Sequence, residues 1–112
     1  MSVTVTEPPA DVELDHAVEA LRLLADRTRL AILAMLSGTE MSVTAIATTL
    51  DRPTPAVSQH LAKLRAGNLV ACRREGTTIY YTQPDEHVAA LVTNALQYGE
   101  HVGYVVPPHH QG

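Results

Sequence analysis

The stretch Thr54-Pro55-Ala56-Val57-Ser58-Gln59-His60-Leu61-Ala62-Lys63-Leu64-Arg65 constrains the fold more than any other part of the chain. Thr54 reads as an N-cap and Pro55 as the first helical residue, where a missing N–H costs nothing. Val57, Leu61 and Leu64 recur at helical spacing and form one apolar stripe. The other face carries Ser58, Gln59, His60, Lys63 and Arg65. Serine and glutamine hydrogen-bond base edges, and lysine and arginine hold phosphates, so such a helix suits the major groove of DNA. An ordinary solvated surface helix has the same pattern, and the flanking segments separate the two readings.

Upstream, Met41–Leu50 reads as a second short helix with Ser42 as its N-cap. Asp51-Arg52-Pro53 ends it, because a residue before proline is pushed out of the α region. Two short helices around a tight turn make a helix-turn-helix whose second helix reads the bases. Downstream, Leu69–Arg74 and Thr78–Thr82 read as strands around Glu75-Gly76-Thr77. The hairpin bears Arg73 and Arg74, and it turns the unit into a winged helix-turn-helix.

Three segments, Leu24–Leu33, Ser58-Gln59-His60-Leu61 and Arg73–Tyr81, together resemble the ArsR/SmtB family of metal-responsive repressors, in the family's order and from about Ala17 to His101. The resemblance implies a homodimeric winged helix on a palindromic operator.

A chain of 112 residues has a modest core, so dimerisation would help to bury apolar surface. With no Trp or Phe, aliphatic side chains must build that core. One cysteine, Cys72, excludes an intramolecular disulfide and fits the reducing cytoplasm; it reads as core packing on a strand. No signal peptide or long apolar run is present, which argues against secretion and membrane spanning. The net charge of −4 is unevenly spread: Arg52, Lys63, Arg65, Arg73 and Arg74 lie in a window without acids, and the remainder carries −9. A basic reading face on an acidic body is the footprint of DNA binding.

Residues 1–11 read as a flexible arm, and 12–103 as one DNA-binding and dimerisation domain. Leu14, Val18 and Leu21 mark an amphipathic first helix that also carries His16. A second runs from the N-cap Asp26 with Leu30, Leu33 and Leu36 on one side, ending at Ser37-Gly38. From Pro84 a last helix carries Val88, Leu91, Val92, Ala95 and Leu96, a stripe expected to pair with its own copy. The expected architecture is therefore mainly α with a small β-hairpin, dimerising through its N- and C-terminal helices.

His87, Glu100 and His101 lie on the last helix, and His109 and His110 in a tail spanning 104–112. Imidazole and carboxylate suit nickel, cobalt or zinc, and a ligand number of five or six favours nickel or cobalt over tetrahedral zinc. His87 and His101 are fourteen residues apart, about 21 Å on a straight helix. One ion cannot reach both within a chain; antiparallel pairing of two copies would bring His87 to the other copy's Glu100 and His101, and the tail could fold back to add His109 and His110. The family resemblance sharpens this toward its nickel/cobalt-sensing branch, through Asp85-Glu86-His87 and Glu100-His101. Tyr98 departs from it, standing where several such sensors have a histidine, and Asp85 can equally be a helix cap. His16 is a weaker ligand candidate. Glu40–Ala45 lacks the Cys-x-Cys of the family's soft-metal sensors, which excludes thiolate chemistry there.

The expected function is a metal-responsive repressor whose operator binding changes when nickel or cobalt bridges the C-terminal helices. Alternatives are an activator or co-regulator acting with a partner protein, redox sensing through Cys72, or, remotely, a metal-dependent hydrolase. The last would need an open coordination position and a substrate pocket, and no nucleophile constellation supports it.

Overall fold

The chain lays down two helices, a short strand, two further helices, a β-hairpin and a long last helix along residues 7–105, which the computed structural model describes. Residues 106–112 of the expected tail, with His109 and His110, lie outside the described residues, as do residues 1–6, while its first two residues, Tyr104 and Val105, belong to the last helix. Helix α1 (Asp11–Leu24) takes in Asp11, which sequence had placed in the arm. The Glu13 carboxylate accepts the Ala10 N–H at 3.1 Å, and Asp11 and Glu13 complement the positive helix start. Helix α2 (Arg27–Met35) is capped by Asp26, whose Oδ2 accepts the Arg29 N–H at 2.9 Å.

Strand β1 (Met41–Ser42) was not expected. Ser42 caps helix α3 (Val43–Leu50), its Oγ accepting the Ala45 N–H at 3.1 Å. An N-cap has extended dihedrals, φ −77° and ψ 162° here, so Met41-Ser42 leaves the helix and pairs with the hairpin. Helix α3 ends at Asp51, whose φ of +54° lets the Arg52 N–H reach the Ala47 carbonyl at 3.0 Å.

Helix α4 (Thr54–Ala66) starts one residue before expectation. Pro53 is the N-cap, and its carbonyl accepts from Ala56 and Val57 at 3.1 and 3.2 Å. Thr54 is thus the first helical residue and not the cap, with Pro55 behind it in the first turn. At the far end Asn68, at φ +62°, takes the left-handed position, and the Leu69 N–H returns to the Leu64 carbonyl at 2.8 Å. That bond holds Leu69 out of the strand expected to begin there.

Strands β2 (Ala71–Glu75) and β3 (Thr78–Thr82) pair antiparallel, with Cys72 opposite Tyr81 and Arg73 opposite Tyr80. Gly76 makes the turn at φ +64°. Because β1 adds to β3, with Ser42 also opposite Tyr80, the wing is a three-stranded sheet in the order β1-β3-β2.

The core is aliphatic, as the composition demanded. Ile32 and Leu33 of α2, Ile46 of α3, Val57, Leu61 and Leu64 of α4, and Leu36 are shielded from solvent, and among the described residues no polar side chain is buried with them. Cys72 is half-buried on β2 and is not among the side chains that form or pack against the core, contrary to its reading as core packing. Helix α5 (Glu86–Val105) passes Gly103 without a break and sets Val88 and Val92 into this core. The rest of its stripe, Leu91, Ala95 and Leu96, is exposed, as are Tyr98 and Val102 further along and Val12, Leu14, Val18 and Leu21 of α1. No helix among the described residues is long and apolar enough to cross a membrane.

Candidate nucleic-acid interface and effector helix

With Val57, Leu61 and Leu64 turned inward, α4 exposes Thr54, Ser58, Gln59, Lys63 and Arg65. Gln59 and Lys63 lie at the middle of the outer face, and Ser58 and Arg65 border a cleft shared with Ala62 and Tyr81. A second groove runs between α3, α4 and the wing, lined by Ser42, Thr44, Ser58, Thr78 and Tyr80. Thr44, Thr78 and Tyr80 were missed in the sequence reading. The period-2 alternation of Thr78 and Tyr80 puts both on one face of β3 and was the available signal.

His60 departs from expectation. It is half-buried on the side of α4 that meets α2, with Nδ1 3.4 Å from Arg29 Nη1 and 3.8 Å from Asp26 Oδ2. At about 100° of turn per residue, His60 falls beside the buried stripe and away from Gln59. Arg29 also donates from Nε to the Leu23 carbonyl at 2.7 Å. Asp26, Arg29 and His60 therefore tie the end of α1, the start of α2 and the reading helix together.

The Arg29 backbone N–H, opposed by partial desolvation and aided by the charges of Arg29 and His60 and by the Thr28 N–H, holds the Asp26 carboxyl below its ordinary value. A carboxylate stabilised in this way supports the fold above the ordinary titration range and loses that support as pH falls through the depressed value. Urea midpoints are expected to drop as pH falls below the ordinary aspartate value of about 3.9, and less in Asp26→Asn, which keeps the cap but not the charge. Equal drops in both proteins would contradict this.

Of the wing arginines, Arg74 is exposed and makes no ion pair among the described residues, while Arg73 is engaged with Glu40 and Glu75. Glu75, which closes the acid-free window, and Glu40, upstream of it, thus both turn onto its Arg73.

On α5, His87, Glu100 and His101 are exposed. By helical rotation His87 and His101 are about 40° apart and adjoin exposed Leu91, Tyr98 and Val102, whereas Glu100 is about 100° further round, beside Leu96. Among the described residues no three His, Cys, Asp or Glu side chains gather closely enough to hold a metal ion within one chain. Asp85 acts as the helix cap, its Oδ1 accepting the N–H groups of His87 at 2.9 Å and Val88 at 3.0 Å. His16 is exposed on α1, on the side away from Leu14, Val18 and Leu21.

Comparison with known proteins agrees with this geometry. A helix-turn-helix domain family matches residues 24–73. The chain is 47% identical over 105 residues to the HTH-type transcriptional regulator KmtR of Mycobacterium tuberculosis, covering 94% of this chain and 81% of that protein. It is 38% identical over 93 residues to the HTH-type transcriptional repressor SmtB of the same species, covering 83% and 69%. Among solved structures, the homodimeric winged helix-turn-helix domain of a possible ArsR-family regulator from Mycobacterium bovis superposes with a TM-score of 0.75 at 32% identity, covering 96% of this chain and all of that one. These likenesses are to DNA-binding regulators and not to enzymes. The chain belongs to the ArsR/SmtB family of winged helix-turn-helix transcriptional regulators.

Proposed function

We propose that this protein is a cytoplasmic, nickel- or cobalt-responsive repressor, acting as a homodimer on a palindromic operator and released from it by metal. One observation carries the reading: His87 and His101 share a flank of α5 beside apolar residues that the chain's own core leaves uncovered. Among the described residues a single chain gathers no three such ligands. Two α5 helices crossing antiparallel near Asn94, midway between the histidines, would set His87 against His101 of the partner subunit twice, by two-fold symmetry. The exposed side chains of α1 would join the same buried interface. Glu100, on the other flank, and the tail histidines His109 and His110 are the candidates for the remaining ligands.

Nitrogen and oxygen donors fit nickel, cobalt and zinc, and a set larger than four selects against tetrahedral zinc. Repression is supported by the likeness to SmtB, a transcriptional repressor. On DNA, Ser58 and Gln59 would address base edges, with Thr54, Lys63, Arg65 and Arg74 on the backbone.

Nickel titration of the full chain tests the shared site. Wild type is expected to bind one ion per chain, and His87→Ala and His101→Ala each to lose tight binding. Mixing the two variants should regenerate about a quarter of the sites, because each heterodimer holds one intact His87–His101 pair. A site made within one chain would show no such recovery.

A further inference from the structure

The Arg73 guanidinium, half open to solvent, is held by two carboxylates and lies over a tyrosine ring. Its Nε donates to Glu40 Oε2 at 3.0 Å, Nη2 donates to Glu40 Oε1, and Nη1 donates to Glu75 Oε1 at 3.2 Å. Its central carbon lies 4.8 Å from the centre of the Tyr80 ring. The fork meets the Glu40 carboxylate in the two-pronged geometry that only arginine offers. Glu40 in turn is held below the ordinary carboxylate range, mainly by its hydrogen bonds from Arg73.

The position of this bridge matters. Glu40 immediately precedes β1, the strand that leads through the Ser42 cap into α3. Arg73 lies on β2, at the other edge of the sheet, and Tyr80 is the β3 residue between Arg73 and Ser42. The bridge therefore spans all three strands and ties the outer wing strand to the helix-turn-helix. Apart from this bridge, β1 fastens to the hairpin through only two residue pairs, Met41–Tyr81 and Ser42–Tyr80. The cluster carries one positive and two negative charges, so it offers a DNA phosphate no net attraction.

We propose that Arg73 is a positioning residue anchored by Glu40: it fixes the angle of the wing toward DNA, and phosphate contact on the wing falls to Arg74. Arg74 is the neighbour of Arg73 on β2 and projects from the opposite face of the strand. The inference rests on the wing approaching DNA, as the proposed function requires.

The test uses the full chain and a fluorescein-labelled duplex that the protein itself enriches from a randomised pool, with anisotropy measured over a range of salt. Glu40→Gln, which removes the charge but not the shape, is expected to weaken binding about fivefold with an unchanged dependence of log K on log salt. Arg73→Lys should behave in the same way, since lysine keeps the charge and loses the fork. Arg74→Ala should instead flatten the slope by about two for a dimer. In Glu40→Gln the 15N heteronuclear NOE of Glu75–Thr77 should fall. Tighter binding by Glu40→Gln, or a slope flattened by Arg73→Ala as much as by Arg74→Ala, would overturn the inference by showing Arg73 on phosphate. Failure of the wild type to bind any selected duplex would instead defeat the DNA-reading premise.

Discussion

Leu61→Ala is expected to destabilise the protein by about 3 kcal/mol, within the range for removing a fully buried leucine side chain. Leu61 has no solvent exposure, nor do Val57 and Leu64 beside it or Ile32, Leu33 and Ile46 across from it. The side chains enclosing it are close-packed aliphatic neighbours, which relax only partly into the void. Total stability for a domain of this size is about 5–15 kcal/mol, so the loss is a large share. It should appear as a fall in melting temperature of more than about 10 °C, while Leu61→Met, which keeps the volume, costs less than about 1.5 kcal/mol. DNA affinity should fall with it, since the same three side chains seat the reading helix. A Leu61→Ala protein melting within about 2 °C of wild type would mean that α4 is held by something other than this stripe.

Much of this architecture is legible in the residues. The α4 stripe, the Asp26 and Ser42 caps and the hairpin around Gly76 follow from local rules, because helical spacing, capping chemistry and turn preference act within a few residues. What local rules do not determine is which element a polar side chain will meet. His60 is placed on the polar side by its chemistry and drawn off it by Asp26 and Arg29, thirty-one or more residues earlier. Arg73 reads as a phosphate ligand until Glu40, thirty-three residues away, is brought to it by β1, a strand too short to announce itself. The apolar stripes of α1 and α5 posed the opposite difficulty. The sequence marks them as surfaces to be covered, yet Val88 and Val92 turn to the chain's own core while Leu91 and Leu96 do not, and only tertiary packing makes that division. The spacing of His87 and His101 already places them too far apart for one ion within a chain.

The coupling of the two ends of the molecule is where the second large effect is expected. Helix α5 packs on α2 through Val88 and Val92, one and five residues beyond His87. Gln83, just ahead of the same helix, donates from Nε2 to the Leu33 carbonyl of α2 at 2.6 Å. A change in how two α5 helices cross would therefore be felt at α2, and through the Asp26–His60 contact at α4. Two reading helices must stand about 34 Å apart to enter successive major grooves, so a small rotation at the dimer axis suffices to spoil the fit.

Anisotropy of the labelled, self-selected duplex at fixed salt, with and without Ni(II), tests this account most directly. Nickel should weaken binding by about 5–150-fold, the range of ordinary allosteric coupling, and DNA should weaken nickel binding by the same factor. His87→Ala should bind the duplex as wild type does without metal and should ignore nickel. A wild-type protein that takes up nickel and binds the duplex equally well with and without it would contradict the account.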